Sequence, residues 1–344
     1  MTWRKKTVLL TGASGVVGRA LIDELATEFD VVCLRHRRSI NDVRVSEFSG
    51  SFDEPHLGMS PADYAVLVKR VDVIVHAAAA TSWKLSPERI REVNTSGATA
   101  LLRLAEEASA PLYFLSTAFV AHPPEKSHSP GAAAYVASKI EAEGIVREHP
   151  APSVIVRPSI IIGDSLNGRM SQFQGIHAVM GAIVRGEAPM IPMPADALID
   201  FVPLDLVTGV VVKLLRENIT EGEFWLTGGD QAPSALELLD ICMELAADLG
   251  LGTTRPRLIP TEAVDRLILP LLEDSLPPRM ALRFRNLLEF SCLFQNTGAL
   301  PNSMAELGFA ENVTKDALRR AVYNSLYFWA QSKGLVPVEQ KQLA

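Results

Sequence analysis

Cysteine is scarce in this chain of 344 residues, with three copies, Cys33, Cys242 and Cys292, and no CxxC pair among them. That excludes a disulfide scaffold and leaves buried, reduced thiols as the expectation. Excess positive charge is also missing: 33 Lys and Arg against 40 Asp and Glu give a net charge of −7. Nucleic acid is therefore not an expected partner, because phosphate binding needs a basic face. No apolar run reaches the ~18 residues of a membrane helix; the longest are broken by Asp205 and Lys213 in one place and by Pro270, Glu273 and Asp274 in another. The seven histidines show no ligand spacing, and His122 and His128 fall in a proline-rich loop, so no metal site is expected. Met1 to Lys6 is basic, but Val8-Leu9-Leu10 after it is too short for a signal-peptide core, and a cytoplasmic protein without an integral membrane segment is expected.

What is present is 48% hydrophobic residues over a length of roughly two domains, enough to bury a sizeable core. The first part alternates short β-branched runs with helix-period segments. Strands are expected at Thr7 to Thr11, Val31 to Leu34, Val71 to Val75, Leu112 to Ser116 and Val154 to Val156. Helices are expected at Gly15 to Thr27, Pro87 to Ala108 and Ala133 to Arg147. Such alternation predicts an α/β fold, a Rossmann-type doubly wound parallel sheet, over residues 1–163. Residues 164–344 read as a smaller, mainly helical, substrate-binding region, with about 200–230 returning to the first domain. Its helices are expected near Gln172 to Arg185, Leu204 to Glu217, Ala235 to Leu249, Glu262 to Leu272, Pro278 to Leu293 and Lys315 to Ser332. Brief strands are expected at Phe224 to Thr227 and Arg257 to Ile259, and prolines 189, 192 and 194 mark a loop.

Thr11-Gly12-Ala13-Ser14-Gly15-Val16-Val17-Gly18 leaves the first strand and opens the first helix. Glycine backbones there permit a tight turn and close approach of a pyrophosphate, and the helix start offers free N–H groups. Gly12, Ser14, Gly15, Val16, Val17 and Gly18 are thus candidate dinucleotide contacts. The second strand ends in Arg35-His36-Arg37-Arg38 with no carboxylate to hold a ribose 2′-hydroxyl. Arg35, Arg37 and Arg38 suit an extra phosphate on that ribose instead. NADP (NADPH) is expected over NAD.

Tyr135-Val136-Ala137-Ser138-Lys139 places a phenol and an amine on one helix face. A neighbouring ammonium is expected to lower the phenol's pKa and prepare it for proton transfer. The pair follows a strand ending Phe114-Leu115-Ser116-Thr117, which brings hydroxyls to the carboxyl edge of the sheet.

The glycine turn, the Tyr135/Lys139 pair and that hydroxyl strand end together resemble the short-chain dehydrogenase/reductase superfamily, extended type. Asp72-Val-Ile-Val-His76-Ala-Ala-Ala79 and Glu92-Val93-Asn94-Thr95-Ser96-Gly97 are similar to further segments of that group. Phe52 to Ser60, Leu115 to Val120, Val156 to Gly163, Asp200 to Asp205 and Phe294-Gln-Asn-Thr297 resemble its fatty acyl-CoA reductase and carrier-protein thioester reductase branch, with its male-sterility-like NAD-binding domain. The resemblance implies that Thr117 binds a substrate carbonyl, with Ser116 as the alternative. It makes Tyr135 the proton donor, Lys139 its tuner and a ribose ligand, and Asn94 an organiser of local backbone and water. Ala77, Ala78, Ala79, Pro158, Ser159 and Ile160 would line the dinucleotide. Where the family often has Gly-Asp, Gly50-Ser51 stands before Phe52, so the adenine contact must come from the Ser51 hydroxyl or nearby backbone, with Phe52 a further candidate cofactor contact.

The implied activity is an NADPH-dependent reductase transferring hydride to a carbonyl, above all an acyl thioester on CoA or an acyl or peptidyl carrier protein, giving aldehyde or alcohol. The alternatives are a secondary-alcohol or ketone (hydroxysteroid-like) dehydrogenase and a nucleotide-sugar epimerase or dehydratase. Arg279, Arg283 and Arg285 are either carrier-phosphate contacts or a solvated helix face. Ile176 to Val184 and Leu267 to Leu272 are either an acyl pocket or ordinary core. A monomer or homodimer is expected.

Overall fold

The computed structural model describes residues 4–36, 38–82, 85–124, 130–260, 291–294 and 298–336. In chain order it runs β1 (Thr7–Thr11), α1 (Val16–Leu25), β2 (Asp30–Arg35), β3 (Val45–Ser49), α2 (Pro61–Arg70), β4 (Val73–His76), α3 (Pro87–Ala108), β5 (Leu112–Leu115), α4 (Pro130–Glu148) and β6 (Ser153–Pro158). Next come β7 (Ile160–Ile162), α5 (Gly175–Val184), β8 (Met190–Pro192), β9 (Phe201–Pro203), α6 (Leu204–Arg216) and β10 (Gly222–Leu226). The last described elements are α7 (Ala235–Asp248), β11 (Arg257–Ile259) and α8 (Lys315–Ser332).

The chain divides into two compact units, one of Met1–Ser159, Leu204–Thr227 and Leu300–Ala310, the other of the remaining segments. The first holds a seven-stranded sheet in the order β10-β6-β5-β4-β1-β2-β3. Every pairing is parallel. Strands β1, β4 and β5 are buried along their whole length, as expected of a parallel sheet covered on both faces. Leu9, Val32, Ile74, Leu101, Leu112 and Phe114 share one apolar core with residues of α2 and α3. From β1 the chain moves outward through β2 and β3, then returns to β4 on the other side. That reversal opens the crevice at the carboxyl ends of β1 and β4, where ligands bind in such sheets.

Helix starts follow local chemistry. Ser86 Oγ accepts from Arg89 N at 3.3 Å with Pro87 at the first position of α3, and Ser60 caps α2 likewise through Asp63 N at 3.1 Å. Helix α1 differs from these two: its N-cap, Gly15, brings no side-chain acceptor.

The second unit carries α5, α7 and α8 with two small parallel pairs, β7 with β9 and β8 with β11. The segment expected as a proline loop contains a strand, because Pro192 stands at the last position of a two-stranded edge, where no ladder N–H is missed. The expected helices at Glu262 to Leu272 and at 278–290 lie outside the described residues.

Candidate active site

At the end of β1 the chain turns through Gly12, whose φ of +73° is costly for a side-chain-bearing residue. A β-carbon there would sit 2.6 Å from the Ala77–Ala78 backbone, and one on Gly18 would sit 2.2 Å from Gly12 O. Gly15 N donates to Gly12 O at 2.8 Å and closes the turn. Ser14 is exposed, and Gly15, Val16 and Val17 are half-buried. With no side-chain cap and no acid in its first turn, α1 keeps its first N–H groups and positive dipole end free for an anion.

Beside this turn, Thr11 Oγ1 lies 2.7 Å from His76 Nδ1 and accepts from Ala78 N at 3.3 Å. Burial pushes His76 down to about 3, so its ring is neutral. At the tip of β2, Arg35 Nε meets Glu47 Oε2 at 3.1 Å. Glu47 also accepts from Ser39 Oγ at 2.9 Å and from the Ile40 and Asn41 amides at 3.1 and 3.2 Å. The terminal nitrogens of Arg35 bond to none of the described residues. Arg38 is exposed, and Arg37 lies outside the described residues. Ser51 N donates to Leu57 O at 2.8 Å, inside a turn where His56, Leu57 and Gly58 all take positive φ. The Phe52 ring stands edge-on to His76, centroids 5.5 Å apart.

Beyond β5, Thr117 Oγ1 accepts from Phe119 N at 3.4 Å and shares a hydrogen bond with the Tyr135 hydroxyl. One turn further along α4, Lys139 Nζ donates to Leu115 O at 2.7 Å and sits 4.3 Å over the Phe114 ring. Asn94 Nδ2 donates to Ser138 Oγ at 2.8 Å, and Asn94 Oδ1 accepts from Ala80 N at 2.7 Å. Ser138 Oγ in turn donates to Tyr135 O at 2.7 Å. Asn94 thereby ties α3, α4 and the loop after β4 together at the phenol.

The electrostatics differ from the expectation drawn from Tyr/Lys spacing. Burial pushes the Tyr135 hydroxyl up to about 12, against the Thr117 hydrogen bond. Burial also pulls Lys139 down to about 7, with Glu143 working against it. Tyr135 at neutral pH is a protonated phenol, suited to give a proton rather than take one.

The structure thus brings Gly12, Gly15, Gly18, Ala78, Asn94, Thr117, Tyr135 and Lys139 to one edge of the sheet. Pro158 ends β6 and Ser159 follows; the buried hydroxyls of Ser116 and Ser159 find no partner among the described residues. An uncapped helix start, a turn closed to β-carbons and two orphaned hydroxyls fit a nicotinamide dinucleotide. Ile160 opens β7, in the second unit. Sequence reasoning missed Ser138, Glu47 and Glu143. Helical spacing from Lys139 would have flagged Glu143, whereas only strand register brings Glu47 to Arg35.

Ile176 and Ile183 border an apolar cavity of about 20 Å³, room for about one water and far too small for an acyl chain. Arg279, Arg283, Arg285, Leu267 to Leu272 and Gln295 to Thr297 lie outside the described residues. Among those described, no helix is long and apolar enough to cross a membrane, and no three His, Cys, Asp or Glu side chains gather as metal ligands.

Sheet order, glycine turn and Tyr/Lys helix define an extended short-chain dehydrogenase/reductase-type Rossmann protein. Within that class the chain belongs to the male sterility protein NAD-binding family, whose model matches residues 37–211. It is 32% identical over 229 residues to the hybrid PKS-NRPS synthetase pvhA of Talaromyces variabilis, covering 62% of this chain but 6% of that protein. Among solved structures it is similar to the terminal R domain from the myxalamid PKS-NRPS biosynthetic pathway, with TM-score 0.75 and 21% identity over 98% of this chain and 93% of the other. It is also similar to the reductase (R) domain of a nonribosomal peptide synthetase from Mycobacterium tuberculosis, with TM-score 0.68 and 20% identity over 97% and 93%. At those identities the two structures speak for the fold.

Proposed function

We propose that the protein is an NADPH-dependent reductase of acyl thioesters carried on CoA or a carrier protein. The observation that carries the chemistry is the Thr117–Tyr135 hydroxyl pair, with Lys139 one turn on, at the sheet edge that also holds the glycine turn. Bound there, a reduced nicotinamide dinucleotide supplies a hydride to the carbonyl carbon. Gly12, Gly15 and Gly18 admit its pyrophosphate to the α1 amides, and Ser51, Phe52, Ala77 to Ala79, Pro158 and Ser159 are assigned to the rest of it. Thr117 and Tyr135 hold the carbonyl oxygen and stabilise the negative charge that develops on it. Tyr135 then passes its proton to that oxygen, and the Lys139 ammonium offsets the phenolate left behind. From a thioester the product of this step is a hemithioacetal, which releases the thiol and leaves an aldehyde; a second round gives the alcohol. The likeness to the terminal R domain of a PKS-NRPS biosynthetic pathway and to the reductase (R) domain of a nonribosomal peptide synthetase supports the thioester over other carbonyls.

Preference for the 2′-phosphate rests on Arg35, whose Nε lies 3.1 Å from Glu47 Oε2, while its terminal nitrogens bond to none of the described residues and suit a bidentate anion. Arg38, and Arg37 by sequence, add charge. Arg35→Ala is expected to weaken NADPH binding by about 10-fold or more and leave NADH nearly unchanged, read by fluorescence titration. An equal loss for both removes the preference.

The function itself is tested by following NADPH absorbance against acyl-CoAs, carrier-bound thioesters, aldehydes and alcohols, with products identified by mass. Thioester-dependent oxidation, falling about 100-fold or more in Tyr135→Phe with NADPH affinity retained, is the expected outcome. Activity with secondary alcohols and NADP alone overturns the thioester assignment.

A further inference from the structure

Tyr135, Lys139 and Glu143 follow one another at single-turn intervals along α4. The last is a carboxylate only 2% exposed. Arg157 donates to it through Nε at 2.9 Å and Nη2 at 2.8 Å, and Arg147 Nη2 donates at 2.7 Å. Arg157, itself 2% exposed, also reaches Glu223 Oε2 at 2.5 Å and lies 4.3 Å over the Trp225 ring. Arg147 closes the ring onto Glu223 at 2.6 Å. Two cations thus meet two anions behind the Tyr/Lys pair. Burying Glu143 and Arg157 costs several kcal/mol per ion, and apolar side chains of like volume would pack the same space. Ions here call for a use that packing does not supply.

Lys139 supplies one. Its amine is buried, and among the described residues its hydrogen-bond acceptor is the Leu115 carbonyl, with the Phe114 ring beneath. The groups facing it are few. Tyr135 on its own helix is a neutral phenol, His76 on β4 is held neutral, and Arg157 on β6 stands across Glu143. Glu143 is the carboxylate acting on it among the described residues.

We propose that Glu143, fixed by Arg157 and Arg147, is a positioning residue that keeps the Lys139 amine charged beside Tyr135. Proton donor, cation and counter-ion then stand in order along α4. Because Arg157 belongs to β6, the same ion pair holds the helix in register with the strand end that leads into Pro158 and Ser159. This role rests on the reductase reading for its purpose, but its test needs no substrate.

In protein carrying lysine labelled with ¹³C at Cε, the Lys139 signal is identified by its loss in Lys139→Met and followed against pH. Glu143→Gln, which removes the charge and keeps the size, is expected to lower the Lys139 titration midpoint by about one pH unit, a tenfold change in the charged fraction at fixed pH. Arg147→Gln, at an exposed edge, frees Glu143 of one cation and is expected to raise the midpoint. Midpoints unmoved in both variants, or moved in the same direction, overturn the proposal. If Glu143→Gln does not fold, Arg147→Gln decides alone: a rise supports the role, and a fixed or lower midpoint rejects it. Failure to reduce thioesters counts against the proposed function and leaves this titration intact.

Discussion

Around Glu143 in the first unit the buried polar groups are ions; around Ser325 in the second they are neutral. There, Gln174 N donates to His177 Nδ1 at 3.2 Å, which leaves the other ring nitrogen to carry the proton toward Ser325 Oγ at 2.9 Å. Ser325 Oγ also accepts from Gly163 N at 3.0 Å. This cluster ties α5, α8 and the end of β7 with hydrogen bonds alone. Neutral partners are enough to fix elements in place, and they carry a smaller desolvation cost than ions. The ionic cluster delivers something else, a field next to an amine. The contrast teaches that order and charge are separate tasks, met by different chemistry in the two units.

The hardest blow to the comparison is Glu143→Ala, which strands the Arg157 guanidinium in the interior. A loss of about 3–5 kcal/mol is expected, read from the denaturant midpoint. A loss under about 1 kcal/mol would mean that the ions are as dispensable as the neutral cluster.

Acid sharpens the contrast next. Burial pushes His177 down to about 4 from the ordinary 6.5. Between those values the unfolded chain binds a proton that the folded chain refuses. The second unit is therefore fully stable above pH 6.5 and loses stability as pH falls toward 4, by about 3 kcal/mol. His177→Gln should flatten that part of the pH curve; an unchanged slope would show that His177 is not its source. His76, held down to about 3, adds a loss of the same sign that continues to lower pH.

The smallest effect is Ser325→Ala. It leaves the Gly163 and His177 N–H groups unpaired, at a cost of about 2 kcal/mol. Hydrogen exchange at Gly163 should speed up, and unchanged protection there would dissociate Ser325 from the cluster.

Much of this arrangement was legible in the chain itself. Thr7–Thr11, Pro87–Ala108, Arg257–Ile259 and Lys315–Ser332 have the bounds that periodicity and caps predict. Ser86-Pro87 and Thr314 mark helix starts through hydrogen bonds that span three residues, so the signal is local. The glycine turn was legible for the same reason. Strand β3 went unforeseen because Val-Ser-Glu-Phe-Ser sits half-exposed at the sheet edge and has no apolar run. Helix α2 was passed over although Ser60-Pro61 announced it, its apolar stripe being little more than Tyr64 and Leu67. At the site, the residue types at Asn94, Thr117, Tyr135 and Lys139 were readable; Glu143, at helical spacing from Lys139, went unread, while Glu47 reaches Arg35 only through strand register.

The sequence alone determined the alternation of elements, the closed glycine turn, the phenol and amine on one helix face, and the guanidinium at the tip of β2. Each depends on neighbours a few residues away. Only the tertiary structure decided what surrounds those groups: Glu47 against Arg35, Thr117 against Tyr135, and Arg157 against Glu143. It also decided that Tyr135 keeps its proton, because the strength of a buried acid is set by the solvent and charges taken away or brought near when distant segments pack together.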